Sequence, residues 1–323
     1  MADHTNQQQV LGCDVGQDSV VIFDSLSATT RSVDNRPKAL SRALGELVPG
    51  CRAAEHVLLV CEATGGHEAS LLNAAWQAGL AAHRADPRKA STFIRSLRCH
   101  AKSDAIDAQG LARYGLERLD VLPLWRPPSQ NQQALQSLVR LRADLVRSRA
   151  DYTRRLKAPG SGPDKPHIRA TIEDFSRRIE ALEADIDRLI DKDDKLARIL
   201  ALIQSVPGCG AKTATTLAAL MPELGHLNRR QAAALAGLAP HPNQSGKTDA
   251  YRRVRGGRRD VKTALFMAAM TARRFHPELS KHYQCLIERG KKPIVAIIAI
   301  ARKLITIINA KIRDQIFANQ QLC

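Results

Sequence analysis

The sequence predicts a multidomain chain of class α/β plus α, on three observations. Short apolar runs alternate with helical stretches over residues 1–127, two long segments of helical period follow, and the excess positive charge falls in the last third. The expected domains are therefore 1–127, 128–197 and 198–323, the last mainly helical.

In the first region Val10 to Val15 and Val20 to Phe23 are β-rich runs joined through Gly16. Val57 to Cys61 (VLLVC) is continuously apolar and is closed by Glu62 and Gly65-Gly66. These read as buried strands. Helical stretches are expected at Pro37 to Leu47 and His67 to Ala78, and Leu119 to Ser129, with three prolines, reads as a linker.

In the second region Leu138, Leu141, Leu145 and Tyr152 keep a helical register, and Ile172, Phe175, Ile179, Leu182, Ile186 and Leu189 repeat as a heptad seam. Ala158 to Pro166 separates the two helices. The seam fits a hairpin within one chain or a coiled coil between protomers, and the sequence leaves both open. In the third region the run Pro293 to Ala310 is interrupted by Arg302 and Lys303, too soon for a bilayer span of roughly 20 residues, and reads as a buried helix.

Composition narrows the function. The 323 residues carry 49 Lys plus Arg against 32 Asp plus Glu, a net charge of +17, and the last region alone holds 21 basic and 6 acidic residues. A polyanion is the expected partner, met mainly by residues 198–323. Aromatics at 4% argue against binding by base stacking. The seven cysteines form no C-x-x-C pair, which excludes a zinc ribbon and suits a reduced, cytoplasmic protein; the N-terminus shows no export pattern.

Four carboxylates carry the chemistry of the first region. Asp14 lies in the first strand, Glu62 ends a later one, and Asp104 and Asp107 are spaced to share a helix face. Converging carboxylates repel unless cations hold them, and oxygen-only ligands select Mg²⁺ or Mn²⁺. Taken singly, each is an ordinary surface acid, and Asp104 also suits a helix cap.

In the last region Ser205 to Gly210 (SVPGCG) joins an apolar helix, Leu196 to Ile203, to a second one, Ala211 to Leu220. Such a glycine turn resembles a helix-hairpin-helix phosphate site using Gly208, Gly210 and Lys212, though a plain helix turn uses the same glycines. Pro240 to Lys247 reads as an exposed loop bearing Ser245, followed by Arg252, Arg253, Arg255, Arg258, Arg259 and Lys262. With Lys247, these cations are the candidate phosphate contacts. A serine hydroxyl among guanidinium groups can attack a phosphodiester, with His241 a nearby base; a Ser-Gly pair is also a common turn.

Together D-V-G at Asp14, E-A-T-G at Glu62, K-S-D-A-I-D-A at Lys102 to Ala108, the V-P-G-C-G turn, and G-L-A-P with the later Ser245-Gly246 resemble the DEDD-type transposases of the insertion-sequence one-ten family, the bridge-RNA-guided recombinases. The resemblance runs in order from near residue 10 to about residue 310. It implies an N-terminal RuvC-like domain of RNase H fold, a coiled-coil segment and a C-terminal transposase domain. It further implies that Asp14, Glu62, Asp104 and Asp107 bind metal and that Ser245 forms a phosphoserine link to DNA. Target and donor DNA, an element-encoded bridge RNA and further copies of the chain, up to a tetramer, are the implied partners, with the bacterial nucleoid as the place of action.

Three rivals share parts of this pattern. An actin-like kinase would use Asp14-Val15-Gly16 but needs further glycine-rich phosphate loops, and none follows Glu62. An architectural DNA-binding protein leaves the acids unexplained, and a metal-dependent junction resolvase leaves Ser245 idle.

Overall fold

The protein is described by a computed structural model covering residues 8–48, 56–97, 103–160, 162–245 and 248–320, with the backbone alone described at 241–245, 248–253 and 319–320. Lys102, Gly246, Lys247, Cys51, Cys99 and Cys323 lie outside the described residues. The chain forms two compact units, Met1–Pro128 and Ser129–Cys323.

The first unit is a mixed five-stranded sheet with helices on both faces. Strands β1 (Gln9–Val15), β2 (Ser19–Asp24) and β3 (Thr29–Asp34) form an antiparallel meander, followed by helix α1 (Pro37–Leu47) and strand β4 (Val57–Glu62). Helix α2 (Ala69–Gln77), strand β5 (Ala81–Ala85) and helices α3 (Pro87–Ser96) and α4 (Asp104–Leu116) complete it. The order is β3-β2-β1-β4-β5, with β4 parallel to both β1 and β5. Strand alternation divides the core. Leu11, Cys13, Leu59 and Cys61 meet Leu40, Leu44, Leu71 and Leu72 on one face, whereas Val10, Leu58 and Val60 meet Ile94, Leu111 and Tyr114 on the other. Burial on both faces accounts for the unbroken apolar run of β4.

Three elements of this unit differ from the sequence reading. β3 is an edge strand exposed at five of its six positions, so it lacks an apolar alternation. β5 (AAHRA) has no β-branched residue and, with α3 after it, is also absent from that reading. The proline-rich segment expected as a linker is instead tied to β5: the Trp125 N–H donates to the Ala82 carbonyl (2.7 Å), and His83 Nδ1 pairs with the Pro123 carbonyl (2.8 Å).

The second unit is mainly helical. Helices α5 (Gln130–Lys157) and α6 (Lys165–Asp191) pack along each other within the chain, closing the heptad seam internally. Tyr152 and Phe175 meet edge to face at 5.6 Å, and Arg142 Nε donates to Glu183 Oε1 at 2.7 Å. Leu135, Val139, Ile186 and Ile190 join the same core as Leu200, Ile203, Leu217 and Leu265. Helices α7 (Asp194–Gln204), α8 (Ala211–Leu220), α9 (Arg229–Leu235), α10 (Arg259–Phe275), α11 (Pro277–Glu288) and α12 (Pro293–Gln320) surround that core. By length and composition α12 is apolar enough to cross a membrane, yet its Ile300, Leu304, Ile305 and Ile308 are fully buried in the unit's core. Residues 240–245, read as a loop, form strand β6 (Pro240–Ser245), antiparallel to β7 (Thr248–Val254).

Candidate functional site

The acidic residues of the first unit are positioned by one sheet register and one close helix. β1 and β4 pair in parallel up to Cys13 opposite Cys61, and Asp14 and Glu62 each follow by one residue. Period-two alternation sends both carboxylates to the α4 face, after Gly12 and Val60. There α4 crosses β1 at Gly12, where a methyl group would stand 2.1 Å from the Ala108 carbonyl oxygen and 2.3 Å from the Ala112 nitrogen. Only a residue without Cβ permits this approach. It brings Asp107, in the first turn of α4, to the strand ends.

The electrostatics agree with that geometry. Burial first, then the charges of Asp14, Asp107 and Asp86, push the Glu62 carboxyl above its ordinary range. Asp104 lies one turn before Asp107 and is exposed. It does not cap α4: the Ser103 hydroxyl accepts from the Ile106 N–H (3.3 Å) in that role. Asp86 was not singled out from the sequence. It directly follows β5 and caps α3, accepting from the Arg88 and Lys89 N–H groups. The Asp-Pro pair at a helix start was its one signal.

Behind Glu62 the chain turns through Gly65 and Gly66, both with positive φ. Glu68, only 4% exposed, holds this turn. Its Oε2 accepts from the Thr64 N–H and hydroxyl (both 3.1 Å) and from the Gly66 N–H (2.8 Å), while Arg84 approaches Oε1 at 3.5 Å. Burial raises the proton affinity of Glu68, but the donated hydrogen bonds outweigh it and hold the carboxyl below its ordinary range.

A carboxylate set of this kind suits a hard divalent cation by donor chemistry, and the raised Glu62 marks negative charge that a cation would relieve. Among the described residues no three His, Cys, Asp or Glu side chains are gathered closely enough to hold one ion together.

In the second unit the α7–α8 turn follows the expected glycine pattern. Gly208 has φ +100°, and a Cβ there would stand 2.7 Å from the Ala272 nitrogen, so this glycine also serves the packing of α10. Gly210 caps α8. Lys212 pairs with Glu183 at 3.2 Å with most of its side chain exposed. The arginines divide by role. Arg258 is engaged in a two-pronged pair with Glu223 (2.6 and 2.7 Å) and also donates to the Leu220 carbonyl (2.5 Å). Arg255 and Arg259 are exposed, and Lys262 is half-buried. Ser245 is the last residue of β6, paired with Thr248; His241, Arg252 and Arg253 lie on the same two strands.

A mixed five-stranded sheet with helices on both faces is consistent with a DEDD-type domain, and comparison with known proteins gives that class. Residues 11–159 match the DEDD transposase family of IS110 elements, and residues 200–284 match the transposase family IS116/IS110/IS902. The chain is 31% identical over 260 residues to the pilin gene-inverting proteins of Moraxella lacunata and Moraxella bovis, covering 79% of this chain and 80% of each relative. It is 28% identical over 164 residues to the 43.6 kDa protein of insertion element IS110 from Streptomyces coelicolor, covering 49% of this chain and 38% of that one. The chain belongs to the IS110 family of transposases. It is a DNA transposase or recombinase, and DNA is its partner.

Proposed function

We propose that this transposase cuts and rejoins DNA strands under the direction of an element-encoded RNA, with Asp14, Glu62, Asp104 and Asp107 as its acidic centre and Ser245 as its nucleophile. The observation that carries the acidic centre is the β1–β4 register, which sets Asp14 beside Glu62 under the α4 turn bearing Asp107. Mg²⁺ or Mn²⁺, when bound by these carboxylates, would stabilise the negative charge that builds on the phosphoryl oxygens. The chain's own contribution is to hold Asp14 and Glu62 at the C-terminal ends of two inner strands, with Asp104 and Asp107 on the helix that crosses them, and to supply the serine.

In the serine step Oγ bonds to phosphorus as its proton leaves to a base, and the phosphorus–O3′ bond breaks, leaving a 3′-hydroxyl once that oxygen takes a proton. The ester keeps the energy of the broken phosphodiester, so a 3′-hydroxyl from another strand can reverse the step and reseal the backbone. Support for the nucleophile comes from its setting, at the end of β6 and followed within 17 residues by seven Arg or Lys residues. Copies of the chain, up to a tetramer, would bring one copy's serine to another's acidic centre, and domains at 1–127, 128–197 and 198–323 would divide these tasks. The test traps the reaction on a nicked substrate and looks for protein-linked DNA on a denaturing gel. Ser245→Ala is expected to lose the adduct while keeping DNA and RNA binding. An adduct that survives the substitution, or wild-type cleavage giving only free 5′-phosphate ends, would replace this reading with that of a metal-dependent resolvase.

A further inference from the structure

The second unit holds a groove of about 790 Å³ bounded by α9, α11, α12 and the start of β6. Its rims carry Arg229 and Arg230 on one side and Arg302 and Lys303 on the other, against a single acid, Glu278. Its floor is apolar, with Leu279 and Ile307 among its side chains. The four cations are exposed, and among the described residues none forms an ion pair. None of them belongs to the α7–α8 turn or to the basic run of residues 247–262. Four cations facing one carboxylate across an open trough hold an unbalanced field. Its reach shows at His282 on α11, whose proton affinity is pushed down by burial and by Lys303, Arg289 and Arg302.

We propose that this groove is a second DNA-backbone site, in which Arg229, Arg230, Arg302 and Lys303 hold phosphates of the strand being cut. The inference rests on the reading of Ser245 given above, because Pro240, the first residue of the strand that ends at Ser245, is among the residues that line the groove. A strand rises roughly 3.4 Å per residue, so the two ends of β6 stand roughly 17 Å apart. Duplex DNA rises roughly 3.4 Å per base pair, so the length of β6 corresponds to about five base pairs of duplex. Apolar walls under cationic rims suit deoxyribose below and phosphate at the edges, whereas an apolar small molecule would meet four uncompensated charges.

The experiment measures the affinity of full-length protein for a labelled DNA duplex across a range of salt. Replacing both Arg302 and Lys303 by Ala, or both Arg229 and Arg230 by Ala, is expected to weaken binding at least tenfold and to lower the log–log salt slope by roughly two, one for each phosphate no longer neutralised. The charge-keeping Arg302→Lys should retain the slope, and phosphate-ethylation interference should appear at phosphates away from the cut and be lost in the pair variants. Unchanged affinity and slope in both pair variants would overturn the groove while leaving the recombinase reading intact. So would a loss confined to RNA, which would assign the groove to the guide. Wild-type protein that bound no DNA would instead overturn the function proposed above.

Discussion

Gly12 of β1 and Ala108 of α4 touch so closely that a methyl group on Gly12 would stand 2.1 Å from the Ala108 carbonyl oxygen. This approach sets the height of α4 above the sheet, and hence of Asp107 relative to Asp14 and Glu62. Gly12→Ala should force the helix outward, costing about 1–3 kcal/mol of stability in urea unfolding and a larger share of strand cutting. Wild-type cutting in this variant would show that the acidic centre tolerates a displaced helix.

Replacing Glu62 by Gln should abolish strand cutting, spare DNA binding, and stabilise the fold modestly, because a charge crowded by other carboxylates is removed and solvent screens part of the effect. The sign follows from its raised proton affinity. A carboxyl easier to protonate folded than unfolded destabilises the native state once both forms ionise. The gain of Glu62→Gln over wild type should therefore be small below the ordinary carboxylate range, grow as pH rises through it, and level off above the folded value. Thermal unfolding across that range checks it; a gain that shrank with rising pH would contradict the crowding of Asp14, Asp107 and Asp86 around Glu62.

Glu68 should show the opposite trend. Its carboxyl is held below the ordinary range by hydrogen bonds from the Thr64–Gly66 turn, so its contribution is present above the unfolded value and is lost as pH falls through the folded one. Glu68→Gln should cost about 2 kcal/mol near neutral pH, with the difference from wild type closing in acid. Urea unfolding at several pH values measures both.

Much of the proposed acidic centre depends on local signals. Glu62 showed as a charge closing an apolar run, and Asp104 and Asp107 showed by their helical spacing. What was hidden depends on pairing between distant segments. β3 and β5 lie on the two edges of the sheet, one exposed and polar, the other rich in alanine, so neither has the pattern of a central strand. Missing β5 also hid Asp86, which follows it. Prolines and glycine made residues 240–247 read as a loop, while the partner that makes β6 a strand lies beyond the turn. The pairing of Arg258 with Glu223 spans 35 residues and has no local signature.

That pairing separates two arginines that look alike in sequence. Arg258 is partly buried and satisfied by Glu223 and the Leu220 carbonyl, whereas Arg259 is exposed at the start of α10. Arg258→Ala should lower stability by about 1–3 kcal/mol by removing the two-pronged contact with Glu223 and the hydrogen bond to that carbonyl, and Lys should rescue it poorly because it lacks the planar fork. Arg259→Ala should leave unfolding unchanged and reduce the salt slope of DNA binding by about one. Circular dichroism melts and salt-series titrations separate the two, and the reverse pattern would assign Arg258 to the phosphate.

The α5–α6 seam offers the remaining prediction. Ile179 is 4% exposed and Ile186 is 3% exposed within a single chain, and Ile186 belongs to the core shared with α7, α8, α10 and α12. An aspartate at either position would bury an unpaired charge, at a cost of several kcal/mol. Because the partners are intramolecular, the loss should appear as a lower melting temperature that does not depend on protein concentration, with the molar mass of the folded fraction unchanged in light scattering. Ile186→Asp should be the more damaging, since it also breaches the helical core, and Ile179→Asp should mainly loosen the outer hairpin. A melting temperature that rose with concentration in wild type and lost that dependence in Ile179→Asp would instead place the seam between protomers.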